Sequence, residues 1–313
     1  MYFAAFDIGG TKTIVAIIKE NREIIAKRQF PSYVQSSKIH LDLCIEAFRE
    51  ELKEQGLTCE QIAGIGVTLP GVVDNEHGVL LYAPFANWKD VHVAEYLTEQ
   101  LGIANVRCEN DVNACAIGEL KFGLGEKYTD FIWMTVSTGV GGAVVSGGKL
   151  NRGADGFAGE LGHLKVEYDH PEQCPCGQWG CLEAHGSGTA LNRMMKETAE
   201  KNPEFAAKLE EKGLRKDGAG CAALASEGNE EAQKIFDTIG MYLGRGMSYC
   251  INVLNPQAIV VGGGVAASLD RIRPAMQEVI EKQAFGKMNK VDIVSTPLGY
   301  EAALFGAAAL VIE

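Results

Sequence analysis

Residues 2–20 read YFAAFDIGGTKTIVAIIKE, an apolar run, a glycine turn and a second apolar run, with no helical period behind the glycines. Two such runs around a short glycine turn are the pattern of a β-hairpin. The arrangement returns at residues 131–149, FIWMTVSTGVGGAVVSGGK, and as a single-stranded variant at residues 258–268, AIVVGGGVAAS, whose glycines lead toward a helix. This repetition predicts a duplicated α/β architecture. Between these landmarks Leu41, Cys44, Ile45, Phe48 and Leu52 fall at helical spacing, as do Val93, Leu97 and Leu101, while residues 61–71, QIAGIGVTLPG, read as a buried strand ending in a turn. Long helical patterns are predicted over 188–216 and 230–253, the second ending before Asn255-Pro256. Residues 291–313 read as a strand followed by a small-residue helix. Two lobes are therefore expected: residues 1–117, with a helix at about 301–313 packing back on them, and residues 118–300.

Composition narrows the class. A chain of 313 residues exceeds the usual single domain, and 46% hydrophobic with 22% charged residues excludes disordered, collagen-like and coiled-coil proteins. Lys and Arg number 29 against 41 Asp and Glu, a net charge of −12 that repels phosphate backbones and acidic lipid surfaces, so neither nucleic acid nor membrane is an expected partner. The longest apolar run, Ala302 to Ile312, is too short to cross a bilayer, and the start MYFAAFDIGG lacks the basic segment of an export signal. Nine cysteines are too sparse and odd in number for a disulfide scaffold, which points to a reducing cytoplasm.

The chemistry sits in short motifs. Glycine turns expose successive backbone N–H groups that can cradle phosphate oxygens. In DIGGTKT the glycines Gly9 and Gly10 are preceded by Asp7, able to hold magnesium through water, and followed by Thr11 and Lys12, a hydroxyl and a cation for phosphates. STGVGG, with Thr138 and Gly139, is a second such turn, and Gly262, Gly263 and Gly264 let the chain pass close to an adenine and ribose. No G-x-x-x-x-G-K-[ST] occurs, and too few residues follow the G-x-G-x-x-A match at Gly262 for a dinucleotide-binding domain. A branched side chain at Gly139 is expected to weaken nucleotide binding and spare sugar binding. Cys174, Cys176 and Cys181 of CPCGQWGC, with His163, can complete a closed tetrahedral zinc site of structural type, and His170 and His185 are rival fourth ligands. Asn110, Asp111, Glu160, His163 and Glu183 are polar groups beside apolar or glycine-rich elements, suited to paired hydrogen bonds with sugar hydroxyls. Asp111 reads either as a helix cap or as a base.

DIGGTKT, ENDVNACAIGE, STGVGGAVV, GELGH, CPCGQWGCLEAHGSG and VVGGGVA together resemble the ROK family of sugar kinases and repressors, in the family's order and over nearly the whole chain. The resemblance implies an actin-like, hexokinase-type fold (a duplicated ribonuclease H-like α/β fold) with two lobes closing on a hexose, ATP and magnesium at the cleft, and zinc in the cysteine loop. It implies Asp111 as the general base and Gly71, Asn110, Asp111, Glu160, His163 and Glu183 as the sugar-binding set. His163 would then contact sugar and ligate zinc through its two ring nitrogens. A homo-oligomer, dimer or tetramer, is expected.

The cysteine loop follows the glucokinase-like pattern of the family. One departure is the segment Ala83-Pro84-Phe85-Ala86-Asn87-Trp88, where glucokinase-like members carry Ala-Pro-Asn-Leu before a tryptophan. The expected activity is phosphoryl transfer from ATP to the C6 hydroxyl of glucose or an N-acetylhexosamine. A sugar-responsive repressor is the competing reading, but family repressors place a helix-turn-helix module before the first phosphate loop, whereas Asp7 opens that loop near the start here. A non-catalytic sugar-binding protein would be expected to lose Asp111 or a glycine loop.

Overall fold

The first glycine turn closes an antiparallel hairpin of β1 (Tyr2–Ile8) and β2 (Lys12–Lys19), as the two apolar runs around it predict. The computed structural model describes residues 1–286 and 290–312. The chain forms two units, the first comprising Met1–Thr129, Gly147–Ala158 and Thr296–Glu313, the second Asp130–Ser146 and Gly159–Ser295. The boundary expected after residue 117 falls inside a helix that runs on to Phe122, with Gly118 and Glu119 both buried.

In the first unit the hairpin is followed by β3 (Ile24–Pro31), α1 (Ser37–Glu54), β4 (Ile62–Leu69), β5 (Val72–Asp74), β6 (Val79–Ala83), β7 (Trp88–His92), α2 (Val93–Leu101), β8 (Val106–Asn110) and α3 (Asp111–Phe122). The short β11 (Lys149–Asn151) and α10 (Ala302–Ala309) complete it. The main sheet has the order β3-β2-β1-β4-β8, with β4 parallel to both β1 and β8. Alternation along β1 divides its side chains: Ala4, Phe6 and Ile8 join Leu41, Cys44, Ile45 and Phe48 of α1 on one face, while Ala5 joins Leu304, Ala307 and Ala308 of α10 on the other. The small residues of α10 have a steric purpose. A β-carbon at Gly66 of β4 would lie 1.7 Å from the Ala307 carbonyl oxygen, so only glycine admits the helix at this depth. The antiparallel sheet β5-β6-β7 has no counterpart in the sequence reading.

Ser36 caps α1, accepting a bond from the Ile39 N–H, and the helix carries a fully buried histidine, His40. Loss of hydration pushes its pKa down from 6.5 to about 4. The unfolded chain therefore binds a proton below about pH 6.5 that the native protein refuses until about pH 4, and stability falls as pH falls through that window. The loss reaches about 3 kcal/mol at the acid end. Denaturant unfolding between pH 7 and pH 4.5 is expected to show this slope and His40→Gln to flatten it.

The second unit repeats the plan. It comprises β9 (Phe131–Val136), β10 (Val140–Ser146), α4 (Leu182–Gly186), α5 (Gly188–Lys201), α6 (Pro203–Glu211), α7 (Gly218–Ser226), α8 (Glu230–Leu254), β12 (Ala258–Gly262), α9 (Leu269–Gln283) and β13 (Asp292–Ser295). Its strands run β10-β9-β12-β13, an antiparallel hairpin followed by two parallel partners, the same pattern as β2-β1-β4-β8. The duplication expected from the glycine hairpins is thus present in the topology. The pattern over 188–216 is broken where the sequence reads it as continuous: Pro203 has no N–H to extend α5, and Asn202 instead caps α6 through the Glu204 and Phe205 amides. The longest helix, α8, buries Ile235, Phe236, Ile239, Leu243, Met247 and Ile251 along one face. Among the described residues no helix is long and apolar enough to cross a membrane.

Candidate functional site

In the first unit the DIGGTKT turn is tight: the Gly9 N–H donates to the Lys12 carbonyl at 3.0 Å, and a β-carbon at Gly9 would stand 2.8 Å from that oxygen. Gly10 backs onto the Phe85 ring, while Thr11 and Lys12 are exposed. At the end of β1 the Asp7 carboxylate accepts a bond from Thr68 Oγ1 at 2.8 Å. Burial raises the Asp7 pKa, against the opposing pull of the Thr68 bond and the Lys12 ammonium. A sequestered carboxylate beside a phosphate-type loop suits a hard divalent cation, so Asp7 fits magnesium, directly or through water.

Asn110 ends β8 and caps α3: its Oδ1 accepts from Val112 N at 3.0 Å and Asn113 N at 3.1 Å, and its Nδ2 donates to the Gly71 carbonyl at 3.1 Å. Capping, one of the two roles open to Asp111, is carried by its neighbour. Asp111 is the first helical residue, and its Oδ1 accepts the Val112 N–H at 2.9 Å. Gly71, Asn110 and Asp111 are thereby brought together. Behind them lies a pair the sequence reading missed. Glu109, 2% exposed, accepts both Arg152 Nε and Nη2 on Oε2, at 2.8 and 2.6 Å. Its other oxygen takes the Asn110 N–H at 3.0 Å and Asn113 Nδ2 at 3.3 Å. The acid before NDVN was visible, but its arginine lies 43 residues away.

The displaced asparagine of the Phe85–Trp88 segment has a backbone function. Asn87 holds a left-handed φ of +51°, and Trp88 starts β7 with its indole N–H donating to the Val34 carbonyl at 2.9 Å. Phe85, at the place of the usual asparagine, packs edge-on against Trp88 and behind Gly10.

In the second unit Thr138 and Gly139 form the turn between β9 and β10, anchored by Gly188 N to the Ser137 carbonyl at 2.7 Å and by Thr189 Oγ1 to the Thr138 carbonyl at 2.8 Å. Glu183 lies directly against this turn, its Oε2 accepting the Val140 N–H at 3.1 Å. A β-carbon at Gly139 would sit 2.2 Å from that same oxygen. This changes the expectation that Gly139→Val spares sugar binding: the substitution must evict Glu183. As Glu183 is among the expected sugar ligands, the substitution is expected to weaken both ligands, sugar by about 10- to 100-fold for a lost charged hydrogen bond, in calorimetry of a variant whose melting is checked separately. Gly262 ends β12, a β-carbon at Gly263 (φ +88°) would lie 2.5 Å from the Val136 carbonyl oxygen, and Gly264 opens a short 3₁₀ helix, Gly264–Ser268, before α9.

The cysteine loop gathers His163, Cys174, Cys176 and Cys181 with their ligand atoms all within 4.8 Å of one another. A tetrahedral metal bound about 2.3 Å from two sulfurs holds them about 3.8 Å apart. Cys176 Sγ and Cys181 Sγ are 3.8 Å apart, and Cys174 Sγ is 3.8 Å from His163 Nδ1. These donors fit zinc. The rival His185 is engaged elsewhere, accepting the Glu172 N–H at 3.1 Å and stacking on Tyr242, and His170 lies outside the cluster. With Nδ1 turned to the sulfurs, His163 Nε2 faces Glu160 Oε2 at 3.8 Å, and Glu183 Oε1 is 3.6 Å from Cys174 Sγ. Glu160, His163 and Glu183 thus all border the cysteine loop. Lys165, unremarked in the sequence, donates to Cys181 Sγ at 3.1 Å.

The ROK family matches residues 3–313 of the chain. A glucokinase of Thermotoga maritima is 31% identical over 310 residues, covering 98% of this chain and 96% of its own. A xylose repressor of Bacillus subtilis is 28% identical, over 89% of this chain and 68% of the repressor. Among solved structures, a ROK family glucokinase from Streptomyces griseus in complex with glucose and AMPPNP superposes with a TM-score of 0.83 at 30% identity, covering 99% of both chains.

Proposed function

The chain belongs to the ROK family, and on that premise we propose that it is an ATP-dependent hexose kinase acting on the C6 hydroxyl of a gluco-configured pyranose. Glucose is the first choice and an N-acetylhexosamine the second. The observation that carries the reading is the head of α3, where Asn110 performs the capping and the Glu109–Arg152 pair fixes the backbone beneath Asp111. Asp111 takes the proton of the sugar hydroxyl as its oxygen bonds to the γ-phosphorus and the bond to the β-phosphate oxygen breaks, releasing ADP. The amides of the Gly9–Gly10 and Thr138–Gly139 turns, with Thr11 and Lys12, hold phosphate oxygens. Asp7 would hold magnesium, which neutralises phosphate charge when bound. Gly71 acts through its carbonyl on Asn110. Asn110, Glu160, His163 and Glu183 bind ring hydroxyls, and His163 does so by Nε2 while Nδ1 serves zinc.

A coupled ATP-consumption assay over hexoses and N-acetylhexosamines, with analysis of the phosphorylated product, tests this. The expected product is glucose 6-phosphate or an N-acetylhexosamine 6-phosphate. A wrong epimer leaves a carboxylate lone pair unmet and loses about one to two decades in specificity. Faster formation of a fructose phosphate, or of a phosphate on another oxygen, overturns the acceptor assignment. The repressor relatives support a second reading, a sugar sensor without turnover. Tight sugar binding with no ATP consumption would select it, although a net charge of −12 disfavours operator DNA.

A further inference from the structure

His40 is bound into a chain of hydrogen bonds that runs to the first glycine turn, and elementary donor counting gives every bond a direction. The Tyr33 N–H points at His40 Nδ1 at 3.1 Å, so that nitrogen presents its lone pair and the ring proton sits on Nε2. Burial, which lowers the ring's pKa to about 4, agrees with a neutral imidazole at physiological pH. Nε2 lies 2.9 Å from Thr13 Oγ1, which accepts there and spends its own proton on Ser32 Oγ, also 2.9 Å away. At the far end Ser32 Oγ is 2.6 Å from the Gly9 carbonyl, which can only accept, so Ser32 donates to it. The two ends fix the same direction independently.

The last bond has a geometric consequence. The carbonyl of Gly9 and the N–H of Gly10 belong to one trans peptide plane and point opposite ways. Neither residue has a side chain to restrain that plane, and glycine backbones turn over at little cost. Ser32 also holds the next carbonyl but one, its N–H donating to Thr11 O at 3.1 Å. We propose that His40, Thr13 and Ser32 are positioning residues that lock the Gly9–Gly10 peptide, pulling the Gly9 carbonyl inward so that the Gly10 N–H is presented outward as a phosphate donor. The proposal deepens the kinase reading and rests on it only for the identity of the phosphate.

Thr13→Val preserves shape and removes the central hydroxyl, Thr13→Ser restores it, and Ser32→Ala removes the terminal donor. In full-length protein, kcat/KM for MgATP is expected to fall about 10- to 100-fold in Thr13→Val and Ser32→Ala, with the sugar KM within about twofold and recovery in Thr13→Ser. A structural role alone would lower melting without this split. A second measurement needs no turnover. In ¹⁵N-labelled protein, His40 is expected as the Nε2–H tautomer, and the Gly10 amide is expected to shift on adding MgATP in wild type and Thr13→Ser but not in Ser32→Ala. Folded variants with wild-type ATP kinetics and the same Gly10 response, or a His40 protonated on Nδ1, overturn the proposal. Absence of transfer to any hexose with the amide response intact refutes the kinase reading and leaves the relay standing.

Discussion

Asp111→Asn is expected to lower kcat by about 10²- to 10⁴-fold while leaving the sugar KM within a few-fold of wild type. The amide keeps the shape of the carboxylate and still offers an oxygen to the Val112 N–H, and the cap belongs to Asn110, so α3 should start where it does now. What the amide lacks is the capacity to take a proton from the acceptor hydroxyl. Steady-state kinetics at saturating sugar and ATP, with circular dichroism of the variant, separates the two. Near-normal turnover would reduce Asp111 to a helix-terminal residue.

Removal of the proposed zinc should be comparably severe. One zinc per chain is expected by elemental analysis, and Cys176→Ser or exhaustive chelation should abolish it. Structural zinc contributes on the order of 10 kcal/mol to small metal-dependent folds, and a few kcal/mol lost here corresponds to a melting decrease of about 5 to 10 °C. The damage should extend to function. His163 supplies one nitrogen to the cluster and one to the side facing Glu160, and Glu183 touches Cys174, so a loosened loop misplaces the proposed sugar ligands together. Protein prepared without chelator that holds no zinc, and melts like Cys176→Ser, would dismiss the site.

Where a feature depends on neighbours in sequence, it was readable. The hairpins β1–β2 and β9–β10 announce themselves as paired apolar runs around glycine, and the cysteine loop by spacing, since three sulfurs within eight positions leave a fourth ligand to find. The structure groups His163 with the three cysteines, while His185 is buried against Tyr242. What was illegible depends on distant partners. Nothing local marks Arg152 as the counter-ion of Glu109, and His40 looks like any polar residue near a helix start until Thr13 and Ser32 are beside it. The break after α5 was visible in Asn202-Pro203, but the apolar period on either side conceals it. The sheet β5-β6-β7 is built from strands of three to five residues, too short for alternation to register.

The placement of α10 bears on how the protein is made. The helix belongs to the first unit, yet its codons follow all those of the second. At typical translation speeds of about 5 to 20 residues per second, the strands β1, β2 and β4 leave the ribosome on the order of 10 to 60 s before α10 does. Throughout that interval Ala5, Ala16 and Ile18 have no helix over them, and the cavity that Gly66 keeps open for Ala307 stands empty. The nascent first unit is thus an unfinished layer with an adhesive face, and the second unit, whose own strands and helices are contiguous apart from one short excursion, completes itself first. Chaperone demand during synthesis should accordingly track the delay before α10, rising when translation pauses within the second unit.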